Sequence, residues 1–195
     1  MVLLFSFRSS VADWYYVPTG SMEPTIQVGD RVVVDKSAYT LELPFTDVVV
    51  AKTGNINRGD IVIIDSNAAD TRLIKRVVAI EGDKVKLENN VLFINGEKAT
   101  VSAKSHNLYS EQILGQTRTI ALNPLPSPAK NFNLITVPRD HVLAMGDNRN
   151  NSVDSRYYGF IPIEEIQGKA NSVAFSLDPD DMYLPRKDRL FTSLQ

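Results

Sequence analysis

A Gly-Asp pair followed at once by a short apolar or alternating run recurs along the first half of the chain. The three units are residues 29–35, 59–65 and 82–87. Glycine allows the sharp turn, and the valine and isoleucine residues that follow favour a strand. Helical periodicity is hard to find anywhere in the sequence, so we predict a mainly β protein.

Residues 88–138 indicate an inserted subdomain of hairpins and loops. Asn95-Gly96 is a strong hairpin signal, and residues 99–135 are rich in serine, asparagine and glutamine with three closely spaced prolines. The main sheet is expected to resume at residues 135–137 and 141–145. The insertion contains no motif that indicates a catalytic or binding function.

Composition excludes several classes of function. The chain has 195 residues and a formal net charge of −2, which argues against nucleic acid as a partner. It contains no cysteine, so disulfides, thiolate catalysis and cysteine-bound zinc are excluded. His106 and His141 are the only histidines, and neither lies in a motif that favours a Ser-His-Asp triad.

Residues 17–25 (VPTGSMEPT) place a serine between two prolines and directly after a glycine. Pro18 and Pro24 each fix a backbone dihedral and remove a donor, so regular structure does not continue through either end. Gly20 permits a sharp bend just before Ser21. We predict a stiff loop that presents the Ser21 hydroxyl, although such a stretch alone is also typical of a surface turn.

A lysine interrupts an apolar stripe on the strand predicted at residues 71–80. Because alternate residues of a strand share a face, Lys75 lies among Leu73, Val77 and Ala79, opposite the two arginines. Burial disfavours the ammonium form and lowers the pKa of a lysine from its usual value of about 10.4. A neutral amine is a competent general base for a serine hydroxyl. The alternative is a lysine at a strand end that extends to solvent.

The loop at residues 146–159 (GDNRNNSVDSRYYG) is unusually rich in aspartate, asparagine, arginine and serine. Its charges can form pairs that stiffen it, and Ser152 or Ser155 can orient a buried amine by a hydrogen bond. A calcium loop is disfavoured because Arg149 occupies a position where an EF-hand requires an oxygen ligand. A penicillin-recognising enzyme is disfavoured because its Ser-x-x-Lys and Lys-Thr-Gly motifs would occur in reversed order, at 127–130 and 52–54.

Together, residues 18–25, 74–83 and 146–159 resemble the serine box, the lysine box and the third conserved box of the type I signal peptidases. These are membrane-bound serine endopeptidases that remove signal peptides from exported pre-proteins. The resemblance implies a partly open, barrel-like catalytic core of antiparallel sheets from residues 9–87 and 139–185, interrupted by the β-hairpin insertion at 88–138. It implies no metal and no cofactor.

The resemblance also implies roles for individual residues. Ser21 would be the nucleophile and Lys75 the general base, with the Ser21 N–H and the Thr19 hydroxyl holding the oxyanion. Ser152 would orient the lysine amine. The supporting shell would be formed by charged residues of the third box: Asp147, Arg149, Asp154 and Arg156. Shallow pockets for an Ala-x-Ala pattern would be lined by apolar residues close to the dyad in sequence: Tyr15, Val17, Met22, Ile26, Leu73 and Ile74.

The implied partners are the signal peptides of pre-proteins and a lipid surface, at the extracytoplasmic, periplasmic face of the bacterial cytoplasmic membrane. Family members carry membrane spans before the serine box, whereas residues 1–7 are apolar but far shorter than the roughly 20 residues of a spanning helix. We therefore expect residues 1–8 to be the remnant or start of a membrane-proximal segment. An ordinary apolar tail is the alternative.

Three other functions stay open at this point. A Ser-Lys peptidase for conjugation or pilus substrates would use the same chemistry. A self-cleaving repressor would need a DNA-binding domain, for which the chain has no room. A non-enzymatic β-rich envelope module would use the same loops to bind a partner.

Overall fold

The computed structural model describes residues 12–42, 49–123 and 129–194. Within these ranges the strands are, in chain order, β1 (Ala12–Tyr16), β2 (Asp30–Asp35), β3 (Thr40–Glu42), β4 (Val49–Lys52), β5 (Ile61–Ser66), β6 (Thr71–Ile80), β7 (Lys84–Glu88), β8 (Val91–Ile94), β9 (Glu97–Lys98), β10 (Thr100–Ser105), β11 (Leu108–Ile113), β12 (Gln116–Ala121), β13 (Phe132–Thr136), β14 (His141–Met145), β15 (Ile161–Pro162), β16 (Ile166–Asp178), β17 (Leu184–Pro185) and β18 (Thr192–Ser193). The helical segments are short: α1 (Ser155–Tyr158) and 3₁₀ turns at Gly20–Met22, Lys36–Ala38, Arg149–Asn151, Ile163–Glu165 and Lys187–Arg189. None of the helices in the described ranges has the length and apolar character needed to span a bilayer.

One antiparallel sheet of nine strands forms the main body. Its path runs β1-β2-β16-β5-β6-β14-β15, and β17 and β18 both pair with β16. The long strand β16 pairs with β2 along one edge and with β5 along the other, so it joins the two halves of the sheet. None of the described sheets closes on itself. The predicted mainly β, open antiparallel fold is confirmed.

The three Gly-Asp pairs close turns of the same kind. The glycines adopt positive φ angles of 95°, 91° and 82° at Gly29, Gly59 and Gly82. The carboxylate of the following aspartate accepts a hydrogen bond from the backbone N–H three residues earlier, at 2.8 Å in Gln27, 2.9 Å in Asn57 and 2.9 Å in Ile80. Each pair therefore begins a strand by the same local device, a left-handed glycine followed by a side chain that closes the turn.

Two smaller sheets contain most of the predicted insertion. Strands β7, β8, β9 and β13 form one, and β10, β11 and β12 form the other. Asn95 and Gly96 both have positive φ, as a two-residue hairpin turn requires. The first strand of the four-stranded sheet, Lys84–Glu88, begins before residue 88. The expected return to the main sheet at residues 135–137 is wrong, because β13 pairs with β7, whereas the return at 141–145 is confirmed by the pairing of β14 with β6. The division into a core and an insertion stays a prediction.

The serine loop is anchored on the apolar core of the main sheet. Val17, Met22 and Ile26 are buried in one cluster with Val32, Val34 and other residues of β2, β5 and β16. Burial of a side chain the size of Met22 or Ile26 contributes about 1.5–3 kcal/mol. Apolar packing on both sides of Ser21 therefore holds the loop against the sheet.

Candidate active site

Ser21 lies in the middle of the 3₁₀ turn Gly20–Met22. The turn is closed by a hydrogen bond from Glu23 N–H to the Gly20 carbonyl at 3.2 Å. Thr19 precedes it in an extended conformation and makes no capping hydrogen bond with its side chain. Thr19 and Ser21 both line the same cleft. This arrangement presents two hydroxyls and a backbone N–H on a short, tightly held segment.

Lys75 points from β6 toward the serine turn. Its Nζ lies 2.9 Å from Ser21 Oγ, and only 4% of the residue is exposed. Burial lowers the pKa of Lys75 to about 8, while the charge of Asp154 raises it and that of Arg156 lowers it. The alternative of a lysine extended into solvent is therefore wrong. An amine with this pKa exchanges protons near neutral pH, which is the range a general base requires.

Asp154 holds together the part of the third box that lies near Lys75. Its carboxylate accepts hydrogen bonds from Ser152 Oγ at 2.7 Å, from Gly146 N–H at 2.9 Å and from the Arg156 guanidinium at 2.8 Å. Burial by itself would raise the pKa of Asp154, but the hydrogen bonds and charge of Arg156 hold it below its ordinary value. The ionised carboxylate thus fixes the Ser152 hydroxyl and the backbone at Gly146.

Ser152 and the serine turn meet at Gly146. A Cβ added to Gly146 would lie 2.3 Å from Ser152 Oγ and 2.4 Å from the Ser21 carbonyl oxygen. The predicted base-orienting residue therefore lies beside the nucleophile's backbone. Glycine is required at this point because its two neighbours leave no space for a side chain.

The charged residues of the third box do not all pair with one another. Asp154 pairs with Arg156 inside the loop, whereas Asp147 and Arg149 pair with residues outside it. Asp147 binds the guanidinium of Arg76 on β6 through both oxygens, at 2.9 and 2.8 Å, and accepts the Thr25 hydroxyl at 2.6 Å. Arg149 pairs with Glu111 of the insertion. The loop is thereby fixed to β6, to the serine loop and to β11.

Asn148 contacts the serine turn, which the sequence did not predict. Its backbone N–H donates to the Ser21 carbonyl at 3.1 Å and its side-chain amide donates to the Gly20 carbonyl at 3.0 Å. Both bonds hold the peptide groups that flank the nucleophile. The presence of Asn148 in the third box was its only sequence signal, because its partners are more than 120 residues away.

A cleft of about 340 Å³ opens beside the dyad. Of the six predicted pocket residues, Tyr15, Val17, Met22, Leu73 and Ile74 line it. Ile26 is different: it is fully buried in the core cluster that contains Val17 and Met22, so it lies behind the cleft wall.

The two sides of this cleft are strand edges. On one side lies β1, which ends the main sheet among the strands that the structure describes. On the other, β14 pairs with β6 only over Arg76–Ile80, so among the described strands Thr71–Lys75 have a neighbour, β5, on one side only. An extended peptide in the cleft would lie along the edge of β6 at Thr71–Lys75 and could pair with its backbone groups there.

Comparison with known proteins connects this geometry to a family. Residues 1–175 match the family model described as signal peptidase, peptidase S26. A signal peptidase I of Pseudomonas fluorescens is 31% identical over 211 residues, covering 97% of this chain and 74% of that protein. A signal peptidase IB of Staphylococcus aureus is 33% identical over 170 residues, covering 87% of this chain and 81% of the other. The crystal structure of a signal peptidase I from Enterococcus faecalis V583 matches with a TM-score of 0.41 and 26% identity, covering 60% of this chain and 98% of that one.

Proposed function

Because this chain belongs to the signal peptidase family, peptidase S26, we propose that it is a signal peptidase I that cleaves exported pre-proteins after a small residue. The observation that carries the mechanism is the 2.9 Å contact between a buried lysine amine, Lys75 Nζ, and Ser21 Oγ. A hydroxyl in contact with a group whose pKa is about 8 can be deprotonated at the moment of attack.

The chemistry proceeds in two stages, acylation and deacylation, and in each stage Lys75 first accepts a proton and then gives it up. Neutral Lys75 accepts the Ser21 hydroxyl proton as Oγ bonds to the scissile carbonyl carbon. Collapse of the tetrahedral intermediate breaks the C–N bond, and the Lys75 ammonium gives its proton to the leaving amine. A water molecule then gives a proton to Lys75 and displaces the acyl group from Ser21, which regains its proton.

The oxyanion is held by the Ser21 N–H and the Thr19 hydroxyl in this mechanism. Thr19 directly precedes the short turn that contains Ser21, and its hydroxyl is not used to cap that turn. Donors fixed before the reaction stabilise developing charge without reorganisation, and one such donor is typically worth about 10²–10³-fold in rate.

The substrate binds as an extended chain between β1 and the edge of β6 at Thr71–Lys75. The apolar walls of the cleft, among them Val17, Leu73 and Ile74, suit the small side chains of an Ala-x-Ala pattern. The bound peptide would also exclude water from Lys75 and so favour its neutral form. The same walls then serve both specificity and base strength.

Contact with a lipid surface is proposed from exposed aromatic residues next to the cleft. Trp14 and Tyr16 alternate with the half-buried Tyr15 on β1, and 58% of Trp14 and 41% of Tyr16 are exposed. Strand register places Phe175 of β16 in line with Tyr16 across β2. We define Trp14, Tyr16 and Phe175 as the outer aromatic patch. Its position suits an enzyme that acts at the extracytoplasmic face of the bacterial cytoplasmic membrane.

Cleavage of a pre-protein with an Ala-x-Ala site, by the full chain in detergent, tests the proposal. Ser21→Ala and Lys75→Ala should each lower the rate by about 10³-fold or more while leaving the fold intact. Matched exposed controls, Ser102→Ala and Lys84→Ala, should cleave like the wild type. Equal rates in the wild type and in both dyad variants would exclude the mechanism.

Two further measurements separate the other functions. His141→Ala should not change the rate, and a loss of about 10²-fold with an intact fold would point to a histidine base. A substrate with leucine in place of the alanine at the cleavage site should react poorly. A wild-type protein that binds pre-proteins without cleaving them would favour the binding module.

A further inference from the structure

A buried ion cluster joins the inserted hairpins to the loop behind Ser21. Glu111 of β11 is fully buried, and its carboxylate binds two arginines. Both of its oxygens accept from Arg149, at 2.8 and 2.7 Å. One of them also accepts from Arg118 Nε of β12 at 2.6 Å. The acid that fixes Arg149 therefore comes from a part of the chain that shows no chemistry in sequence.

The cluster depends on its single carboxylate. Burial would raise the pKa of Glu111, but the charges of Arg149 and Arg118 lower it to about 2, so the group is ionised throughout the working range. Without that charge, two buried guanidinium groups would face each other, with Asp147 as the remaining acid that interacts with both. Loss of one member of a buried ion pair is far more disruptive than loss of an exposed pair.

The ion cluster lies one residue from Asn148, whose hydrogen bonds hold the backbone of the serine turn. Arg149 follows Asn148, which donates to the carbonyls of Gly20 and Ser21. The insertion also holds the main chain here, because the Ala121 N–H donates to the Asp147 carbonyl at 2.9 Å. A continuous set of contacts thus runs from β11 through Arg149 and Asn148 to the serine turn.

We propose that Glu111 is a positioning residue for hydrolysis: through Arg149 it fixes the backbone at Asn148, and so the direction of the Ser21 hydroxyl toward Lys75. The three-stranded sheet β10–β12 is then part of the catalytic apparatus, although it contributes no reacting group. The inference rests on the proposed function in one respect: the reaction that Glu111 supports is the hydrolysis carried out by Ser21.

Glu111→Gln is the main test, because it keeps the shape and removes the charge. We expect kcat for pre-protein cleavage to fall about 10–10²-fold, since small displacements of reacting groups are costly. KM should stay within about threefold, since Glu111 does not line the cleft. The acid limb of the pH–rate profile should not move, because burial, Asp154 and Arg156 set the pKa of Lys75. Glu111→Asp should recover part of the rate.

Two variants separate positioning from general stability. Glu97→Gln is the matched control: this exposed glutamate of β9 accepts from Leu114 N–H at 2.8 Å within the insertion, and its loss should leave kcat unchanged. Arg149→Lys keeps the ion pair but removes the two-pronged contact, so it should reproduce the fall in kcat if Glu111→Gln does not fold.

A double-mutant cycle and hydrogen exchange complete the test. If Glu111 acts through Asn148, then Glu111→Gln and Asn148→Ala together should cost clearly less than the product of their separate effects. Amide exchange at Asn148 should accelerate in Glu111→Gln. Multiplicative rate losses, or a folded Glu111→Gln protein with wild-type kcat and unchanged exchange, would overturn the proposal. A wild-type protein that does not cleave pre-proteins would exclude the proposed function instead, and exchange at Asn148 would still decide whether Glu111 holds the serine turn.

Discussion

The proposed mechanism places two opposing requirements on the side chain of Lys75. As a general base it must stay within reach of Ser21 Oγ, and it must lose its proton near neutral pH. Burial on the apolar side of β6 meets both, since it places Nζ 2.9 Å from the hydroxyl and lowers the pKa to about 8. Asp154 opposes the second requirement with its negative charge, and Arg156 supports it. The neighbouring pair thus orients the site without making the amine a permanent cation.

This pKa predicts the pH dependence of the reaction. Because only neutral Lys75 can act as base, kcat/KM should rise about tenfold per pH unit below pH 8 and level off above it. Steady-state rates between pH 6 and about 10 measure the profile. The double variant His106→Ala/His141→Ala should leave it unchanged. A limb centred near pH 6.5 that disappears in this variant would contradict a lysine base.

The same burial predicts that Lys75 destabilises the fold. Below pH 8 the ammonium is buried at a cost set by the difference between its pKa of about 8 and the ordinary value of 10.5, which corresponds to about 3 kcal/mol. Lys75→Met should therefore unfold at a higher denaturant concentration than the wild type at pH 7. From pH 8 to 10.5 the unfolded wild type still binds a proton that the folded form has released, so wild-type stability rises and the gap closes.

Denaturant titrations of both proteins at several pH values measure this gap. The exposed Lys84→Met variant is the control and should show no such pH-dependent difference. A gap that widens between pH 8 and 10.5 would contradict the lowered pKa.

At the scale of single elements, short-range patterns were readable from the sequence and long-range pairings were not. The Gly-Asp turns, the strands after them and the Asn95-Gly96 hairpin each depend on neighbours within a few residues. Helix α1 was missed because four residues capped by the Asp154 side chain show no periodicity.

The partners of the third box were beyond sequence reasoning for a physical reason. Any of several acids can neutralise Arg149, and the choice of Glu111 depends on how β11 packs against the loop. The same holds for Asp147 with Arg76. Ile26 was assigned to a pocket because it is apolar and near Ser21, but distance along the chain does not distinguish the wall of a cleft from the core behind it.

The close packing of Ser152 and the serine turn against Gly146 predicts the effect of a substitution at this glycine. Gly146→Ala would force a methyl group against Ser152 Oγ and the Ser21 carbonyl, which displaces both. We expect a fall in kcat of about 10²-fold or more. Gly96→Ala is the control, because its φ of 86° imposes strain of about 1–2 kcal/mol in open space far from the dyad. Pre-protein cleavage rates at matched folded concentration measure the difference, and equal rates for the two variants would contradict it.

At the scale of the whole molecule, the reacting groups lie where separate parts of the chain converge. The serine loop packs on the main sheet, β6 contributes Lys75, and Glu111 of β11 holds the loop whose Asn148 contacts the serine turn. The outer aromatic patch extends from β1 across β2 to Phe175 of β16, and Tyr15 and Tyr16 of β1 both line the cleft. The proposed substrate cleft and the proposed lipid contact therefore share β1, which would deliver a membrane-embedded signal peptide directly to Ser21.

Vesicle binding tests this arrangement. An aromatic side chain that leaves water contributes about 1.5–3 kcal/mol, so Trp14→Ser/Phe175→Ser should weaken partitioning of the full chain onto phosphatidylcholine–phosphatidylglycerol vesicles by about tenfold or more. The matched control Val50→Ser/Leu134→Ser changes two exposed apolar residues of other sheets, 57% and 63% exposed, and should bind like the wild type. Cleavage of a short soluble peptide should be unaffected in both, because the catalytic groups are untouched. If the two double variants sediment with vesicles equally well, the lipid contact does not involve the edge of the sheet at β1, and delivery along β1 is excluded.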